Sequence, residues 1–428
     1  MRIAFKNVNL LESCGFSGTV NVVINDKIIE YVGADEPVGE LDKVIESNGN
    51  LLMPAFYNTH CHSAMTLFRG YGDDLPLVRW LNEKILPAED LLNEERTYIG
   101  SKLAIAEMIK NGVVSFSDMY FFMDETARAV EETGVKANLS RAVVSFDKDA
   151  DFSKDTRVLE AIDIFNRWHG RADGRIKVDM SLHAEYTNVD RCFDYVSDLT
   201  KKLNTAFHIH VSETRSEHEE CIARHGLTPT AYLEAHGVLD NPTLAAHCVW
   251  VNDEDIAILA KRGVSVAHNP VSNLKLGSGI MPYKKMRDAG VNVSLGTDGA
   301  ASNNRLSILR ELQLATLIHK GAELDPAVTL ASDMIVCATK NGAIAQGRSD
   351  CGEIKAGNRA DLLLVDMSSF DNIPSYSFES TVCYSMAESD ILLTVCDGNI
   401  LYDRGSYTTI DEELLKHDAK RVISHYFD

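Results

Sequence analysis

No stretch of this 428-residue sequence approaches the roughly 20 consecutive apolar residues that span a bilayer. Its first residues, Met1-Arg2-Ile3-Ala4-Phe5-Lys6-Asn7, lack the apolar core of a signal peptide. Positive charge is scarce: 42 Lys and Arg stand against 63 Asp and Glu, a formal charge of −21. Such a surface repels phosphate backbones and anionic headgroups, so neither nucleic acid nor a membrane is expected as a partner. No Cys-x-x-Cys pair occurs among the nine scattered cysteines. An odd, unpatterned set reads as reduced thiols in a cytoplasmic protein and argues against a thiolate zinc centre.

What is present divides the chain in three. A hydrophobic content of 45% over this length supports one large core and a smaller companion. Both ends read as short strands. Val20 to Ile24 and Ile28 to Val32 flank the turn Asn25-Asp26-Lys27, and Ile391 to Cys396 and Asn399 to Tyr402 flank Asp397-Gly398, a strong hairpin signal. Neither end can bury a core alone, so residues 1–54 and 350–428 are expected to pair into one small β-domain around an inserted region, 55–349.

The inserted region has another rhythm. Glu94 to Lys110 carries apolar residues at helical spacing, Asn111-Gly112 stops it, and Val113-Val114-Ser115-Phe116 follows as a strand. Asp124 to Thr133 repeats the unit, with Asp124 expected as N-cap, then Gly134 and a strand from Val135. Eight strand ends can be counted, near His62, Asp118, Arg141, His183, His210, His247, His268 and Asp298. Helix, glycine, short apolar strand, repeated, predicts an α/β fold: a (β/α)8 TIM barrel with a small β-sandwich domain built from both ends. An open doubly wound sheet is the alternative, disfavoured because no Gly-x-Gly-x-x-Gly follows the first strand.

In a strand, residues i and i+2 share a face, so His60 and His62 point together. Two imidazoles make half of a divalent-metal site, although two core histidines would look the same. Seven of the eight strand ends carry His or Asp. Packing alone explains that poorly, because buried polar groups cost energy unless paired, and barrel strand ends converge on one mouth.

The segments Pro54 to His62, His208-Ile209-His210-Val211-Ser212-Glu213-Thr214, Ala246-His247-Cys248, His268 to Leu276 and Leu295 to Asn304 strongly resemble the amidohydrolase superfamily. Within it they are similar to the mononuclear aminohydrolase branch that holds 5-methylthioadenosine/S-adenosylhomocysteine deaminases, guanine deaminases and triazine hydrolases. The resemblance covers nearly the whole chain. It implies metal ligands at His60, His62, His210 and Asp298, and one divalent ion, Zn²⁺ with Fe²⁺ as the alternative. Spacing alone does not choose between His208 and His210; the resemblance selects His210 and leaves His208 a structural role. Binuclear relatives use a carboxylated lysine at a strand end, and Met180-Ser181-Leu182-His183-Ala184-Glu185 offers none.

The same resemblance implies hydrolytic release of ammonia from an amino-heterocycle. The metal supplies an activated water, His247 and Asp298 hold it and accept its proton, and Glu213 donates a proton to the ring. For the substrate, it implies that Trp80 packs on the ligand, that Glu89 accepts hydrogen bonds from a ribose diol, that His183 contacts the purine, and that Ser302 lies at the substrate. Arg141 and Arg157 are matched to a guanidinium clamp for an amino-acid carboxylate, although the loop from Asp147 to Thr156 departs from the relatives. A small purine nucleoside is thus the expected partner, and a homo-oligomer is implied by family likeness only. The rivals are an aminohydrolase for guanine, a pterin or a triazine, and a metal-free barrel acting in assembly.

Overall fold

The computed structural model describes residues 1–428 apart from 12–14, 16, 17 and 428. The chain opens with β1 (Arg2–Val8), β2 (Val20–Asn25), β3 (Ile28–Gly33), β4 (Lys43–Glu46) and β5 (Leu51–Pro54). The first four form one sheet in the order β3-β2-β1-β4. The chain then enters a ring of parallel strands: β6 (Phe56–Cys61), β7 (Val113–Tyr120), β8 (Lys136–Arg141), β9 (Ile176–Val178), β10 (Met180–Ser181), β11 (Phe207–Val211), β12 (Thr243–His247), β13 (Ser265–His268) and β14 (Asn292–Leu295). It returns to antiparallel sheet with β15 (Leu362–Val365), β16 (Ile391–Cys396), β17 (Asn399–Asp403) and β18 (Ser406–Tyr407). There β15 pairs with β5, joining the two chain ends. Alternate residues of these outer strands, among them Phe5, Val22, Leu52, Leu364 and Val395, bury a core of their own.

The ring has eight strand positions because β9 and β10 share one. Asp179, between them, donates its N–H to Leu139, and Met180 then donates to Ala206 on the other side. So β9 pairs with β8, and β10 pairs with β11. Hydroxyls and loop amides close the ring between β14 and β6. Thr59 Oγ1 donates to the Leu295 carbonyl at 2.8 Å, and the amides of Thr297 and Asp298 donate to the His60 carbonyl at 3.1 and 2.9 Å. The first barrel strand is therefore stitched directly to the loop that carries Asp298. Barrel and outer sheet meet at a buried charge cluster. Lys136, 2% exposed, pairs with Asp397 at 2.7 Å and with Asp361, which also accepts from Tyr57. An ion buried this deeply persists only with partners on hand.

The helix Glu94–Lys110 runs as its spacing predicts, capped by Asn93. The next one corrects the sequence reading at its start: it spans Met123–Thr133, Phe122 takes the N-cap place at φ 50°, and Asp124 lies in the first turn. The Asp124 carboxylate instead accepts from Trp168 Nε1 and Arg167, tying this helix to Thr156–Trp168. The final helix, Glu412–Ser424, leaves the outer sheet and reaches the barrel, where Arg421 pairs with Glu95 and Tyr426 donates to the Ala88 carbonyl. The eight described cysteines are free and buried; Cys14 lies outside the described residues. No described helix is long and apolar enough to cross a membrane.

Candidate active site

The C-terminal ends of the ring strands bring most of the expected residues to one place. The donor atoms of His60, His62 and His210 lie within 4.8 Å of one another, as do those of His60, His247 and Asp298. Each ring is held from behind. His62 Nδ1 meets the Met119 carbonyl at 2.6 Å, His210 Nδ1 the His183 carbonyl at 2.7 Å, and His60 Nδ1 the His208 Nε2 at 3.0 Å. Fixing Nδ1 in this way turns Nε2 toward the cluster. His60 Nε2 is buried without a hydrogen-bond partner, a costly condition that a cation at the centre relieves. Three imidazoles and a carboxylate fit a divalent metal well.

Electrostatics agree with that reading. Burial lowers the His60 pKa to about 3 and holds His210 well below the usual range, so both rings are neutral donors. His62 behaves differently. Burial works against its charge, but the Asp298 carboxylate 3.2 Å away raises it to about 9. Asp298 is pushed up by burial but held well below the usual carboxylate range by His60 and His62. Its Oδ2 accepts from Ser272 and Ser302 at 2.6 and 2.9 Å, and its Oδ1 from the Gly299 amide at 2.8 Å. The backbone is strained at Ser212, His247, Cys248 and Asp298, all non-glycine residues at positive φ. Such strain is tolerated where the surroundings fix it, and it concentrates at functional sites.

Glu213 follows β11 and is held by Glu217, whose carboxylate accepts the amides of Ser212 and Glu213 at 2.9 and 2.7 Å. One Glu213 oxygen accepts from Ser278 Oγ at 3.3 Å, and the other lies 3.9 Å from His247 Nε2. Burial raises the Glu213 pKa above the usual carboxylate value, which suits a group that must give up a proton. His247 in turn is oriented by Asn273 Oδ1 at 2.8 Å.

His62, His210, Glu213, His247 and Asp298 line a cavity of about 260 Å³ whose other walls are mostly apolar. Trp80 and Glu89 enter it from the helical segment Leu77–Glu89, which contains a π-helical turn at Leu81–Ile85. Turns of that kind recur at functional sites. Glu89 accepts from Tyr120 at 2.8 Å, and burial raises its pKa to about 7. His183 lines the cavity too, its Nδ1 unpartnered and its pKa lowered by burial to about 4.

Three expected substrate contacts fall elsewhere. Ser302 is buried behind Asp298 and is not on the cavity wall. Arg141 faces a neighbouring cavity, paired with Glu160 at 2.8 Å. Arg157 is exposed on the first turn of its helix and lines neither cavity. Sequence reasoning missed Tyr120, Glu217 and Ser278. Tyr120 stands two residues after the strand-end residue Asp118, and Glu217 sits four after Glu213, so both had a positional signal.

The sequence of a family model described as the amidohydrolase family matches residues 51–401. This chain belongs to the amidohydrolase family. Among its relatives, a 5-methylthioadenosine/S-adenosylhomocysteine deaminase of Dictyoglomus thermophilum is 42% identical, over 98% of each chain. A 5′-deoxyadenosine deaminase of Methanobrevibacter smithii is 40% identical over 94% of this chain and 92% of its own. Among solved structures, an adenosine deaminase from Xanthomonas campestris with bound zinc superposes with a TM-score of 0.92 at 30% identity, over 99% of this amidohydrolase and 98% of that chain. The architecture is thus the amidohydrolase TIM barrel.

Proposed function

We propose that this amidohydrolase is a metal-dependent hydrolytic deaminase of adenosine derivatives, converting 5′-methylthioadenosine, S-adenosylhomocysteine or adenosine to the inosine analogue and ammonia. The observation that carries the reading is one cavity that brings together the donor cluster, the raised carboxyl of Glu213, and a half-buried Glu89 with acceptor capacity left for a ribose diol. Names of relatives point the same way.

In this reading His60, His62, His210 and Asp298 hold one divalent ion, Zn²⁺ by the nitrogen-rich donor set, with Fe²⁺ as the alternative. The ion, when bound, lowers the pKa of a coordinated water toward about 7. The remaining work belongs to the chain. His247 and Asp298 orient that water and accept its proton. Glu213 delivers its own proton to the ring nitrogen beside the amino-bearing carbon, takes up the water's first proton by way of His247 or Asp298 and passes it to the departing amine as the exocyclic C–N bond breaks, and is restored by the water's second proton. Trp80 covers a face of the base, and His183, kept neutral by burial, meets the purine with a ring nitrogen. Glu89 accepts the ribose hydroxyls. Residues 55–349 carry this chemistry, and 1–54 with 350–428 form the companion domain. A cytoplasmic location belongs to the same reading, supported by the unpaired cysteines.

The test is ammonia release from adenosine, methylthioadenosine, S-adenosylhomocysteine and guanine by the zinc-loaded protein. Release from the adenosine derivatives is expected. Release from guanine alone, or from none of them, overturns the reading.

A further inference from the structure

Beside the main cavity lies a second one of about 430 Å³, sharing Leu86, Glu89 and Phe121 with it. If Glu89 takes the 2′ and 3′ hydroxyls, the 5′ end of the nucleoside lies one sugar ring away, and the second cavity begins at that wall. Two guanidinium groups face it, and neither is free. Arg141 Nε donates to Glu160 Oε2 at 2.8 Å, its Nη1 donates to the Ala142 carbonyl, and its guanidinium lies 5.0 Å from the Phe121 ring. Arg167 pairs with Asp124 and Asp163 at 2.7 and 2.6 Å. Against these two cations the lining sets five carboxylates, because Glu89 and Asp90 join the three already paired.

We propose that this second cavity receives the 5′ substituent of the nucleoside, and that Glu160, by occupying Arg141, selects uncharged or cationic substituents over carboxylated ones. The inference rests on the deaminase reading of the main site. An incoming carboxylate has to displace Glu160 from Arg141 and then sit among like charges, a repulsive element of the kind that sets specificity. An ammonium meets partners instead. A methylthio group meets Phe121 and Leu86 without cost. The exposed Arg157 adds no further guanidinium to the lining, and Arg167, the other one there, is held by Asp124 and Asp163, so neither stands free to hold an anion.

The test compares kcat/KM for ammonia release from three adenosines: the 5′-methylthio, the 5′-(3-aminopropylthio) and the 5′-(3-carboxypropylthio) derivative. The full, metal-loaded chain is used throughout. The amine is expected to exceed the carboxylate about tenfold or more, and Glu160→Gln to shrink that ratio about fivefold or more. Glu160 is an exposed helix residue, so the variant is expected to fold. Equal kcat/KM for amine and carboxylate in the native sequence overturns the proposal. So does a ratio unchanged by Glu160→Gln. Absence of release from all three overturns the deaminase reading and this inference with it, whereas release without charge discrimination overturns this inference alone.

Discussion

His60 Nδ1 faces His208 Nε2 at 3.0 Å, with both rings buried and both held neutral by that burial. One nitrogen must donate and the other accept. Because His60 Nε2 turns bare toward the donor cluster, its Nδ1 carries the hydrogen and His208 accepts. His208 thereby sets the tautomer and angle of a proposed ligand. Replacing it with phenylalanine keeps the bulk and removes the acceptor. His208→Phe is expected to weaken metal affinity about 10–100-fold, read by competition with a chelator. An affinity matching the native protein's would show that His208 only fills space.

Glu213 is the proposed proton carrier. Glu213→Gln keeps the shape and the bond from Ser278 but has no acid to give. The variant is expected to retain its metal, shown by elemental analysis, and to lose about 10²–10⁴-fold in kcat. Near-native turnover would remove Glu213 from the mechanism.

The sequence exposes some of these relationships and hides others, for physical reasons. His60, His62 and His210 are legible because a strand's two-residue period and the barrel's common rim turn spacing into proximity. The parallel ring is legible because glycine and an apolar run follow helix after helix. The partners of a side chain are not legible in this way. Nothing in the spacing says that Ser302 turns back to Asp298, or that Glu160, a full loop away, reaches Arg141. Those contacts depend on how loops of variable length pack, and the segment from Asp147 to Thr156 is one such loop. The Asp124 cap failed for a related reason: Trp168 and Arg167, from the next helix, compete for its carboxylate.

The Glu89 pKa of about 7 gives the proposed ribose contact a pH signature. Above that pH the carboxylate is ionised and accepts on both oxygens, one already taken by Tyr120. Below it the group is protonated and loses acceptor capacity. The binding gain is therefore present above pH 7 and lost as pH falls. The kcat/KM for adenosine is expected to fall roughly tenfold per pH unit on the acid side of 7, with a shallower limb for 2′,3′-dideoxyadenosine. Identical limbs for the two substrates would place the titrating group elsewhere.

Gly296 sits where the ring closes. A Cβ there would lie 2.4 Å from Asn269 Oδ1 and 2.9 Å from the Cβ and backbone nitrogen of His60. Backbone cannot swing aside, so Gly296→Ala is expected to cost about 1–3 kcal/mol of stability, visible as a lower Tm. Because the strain falls on His60, metal affinity is expected to drop as well. A variant with native Tm and native affinity would mean that the closure is more yielding than the packing implies.

Ser302 separates a substrate contact from a positioning contact. The family resemblance implies a place at the substrate, but its hydroxyl donates to Asp298 Oδ2, beside the donation from Ser272. Those two bonds leave Asp298 Oδ1 facing His62. Without Ser302, the carboxylate keeps one of its two hydroxyl donors and gains freedom to rotate. Ser302→Ala is therefore expected to lower kcat about tenfold and to weaken metal binding, while KM for adenosine stays within about twofold. A rise in KM at native kcat would return Ser302 to the substrate, and the geometry around Asp298 would then need another explanation.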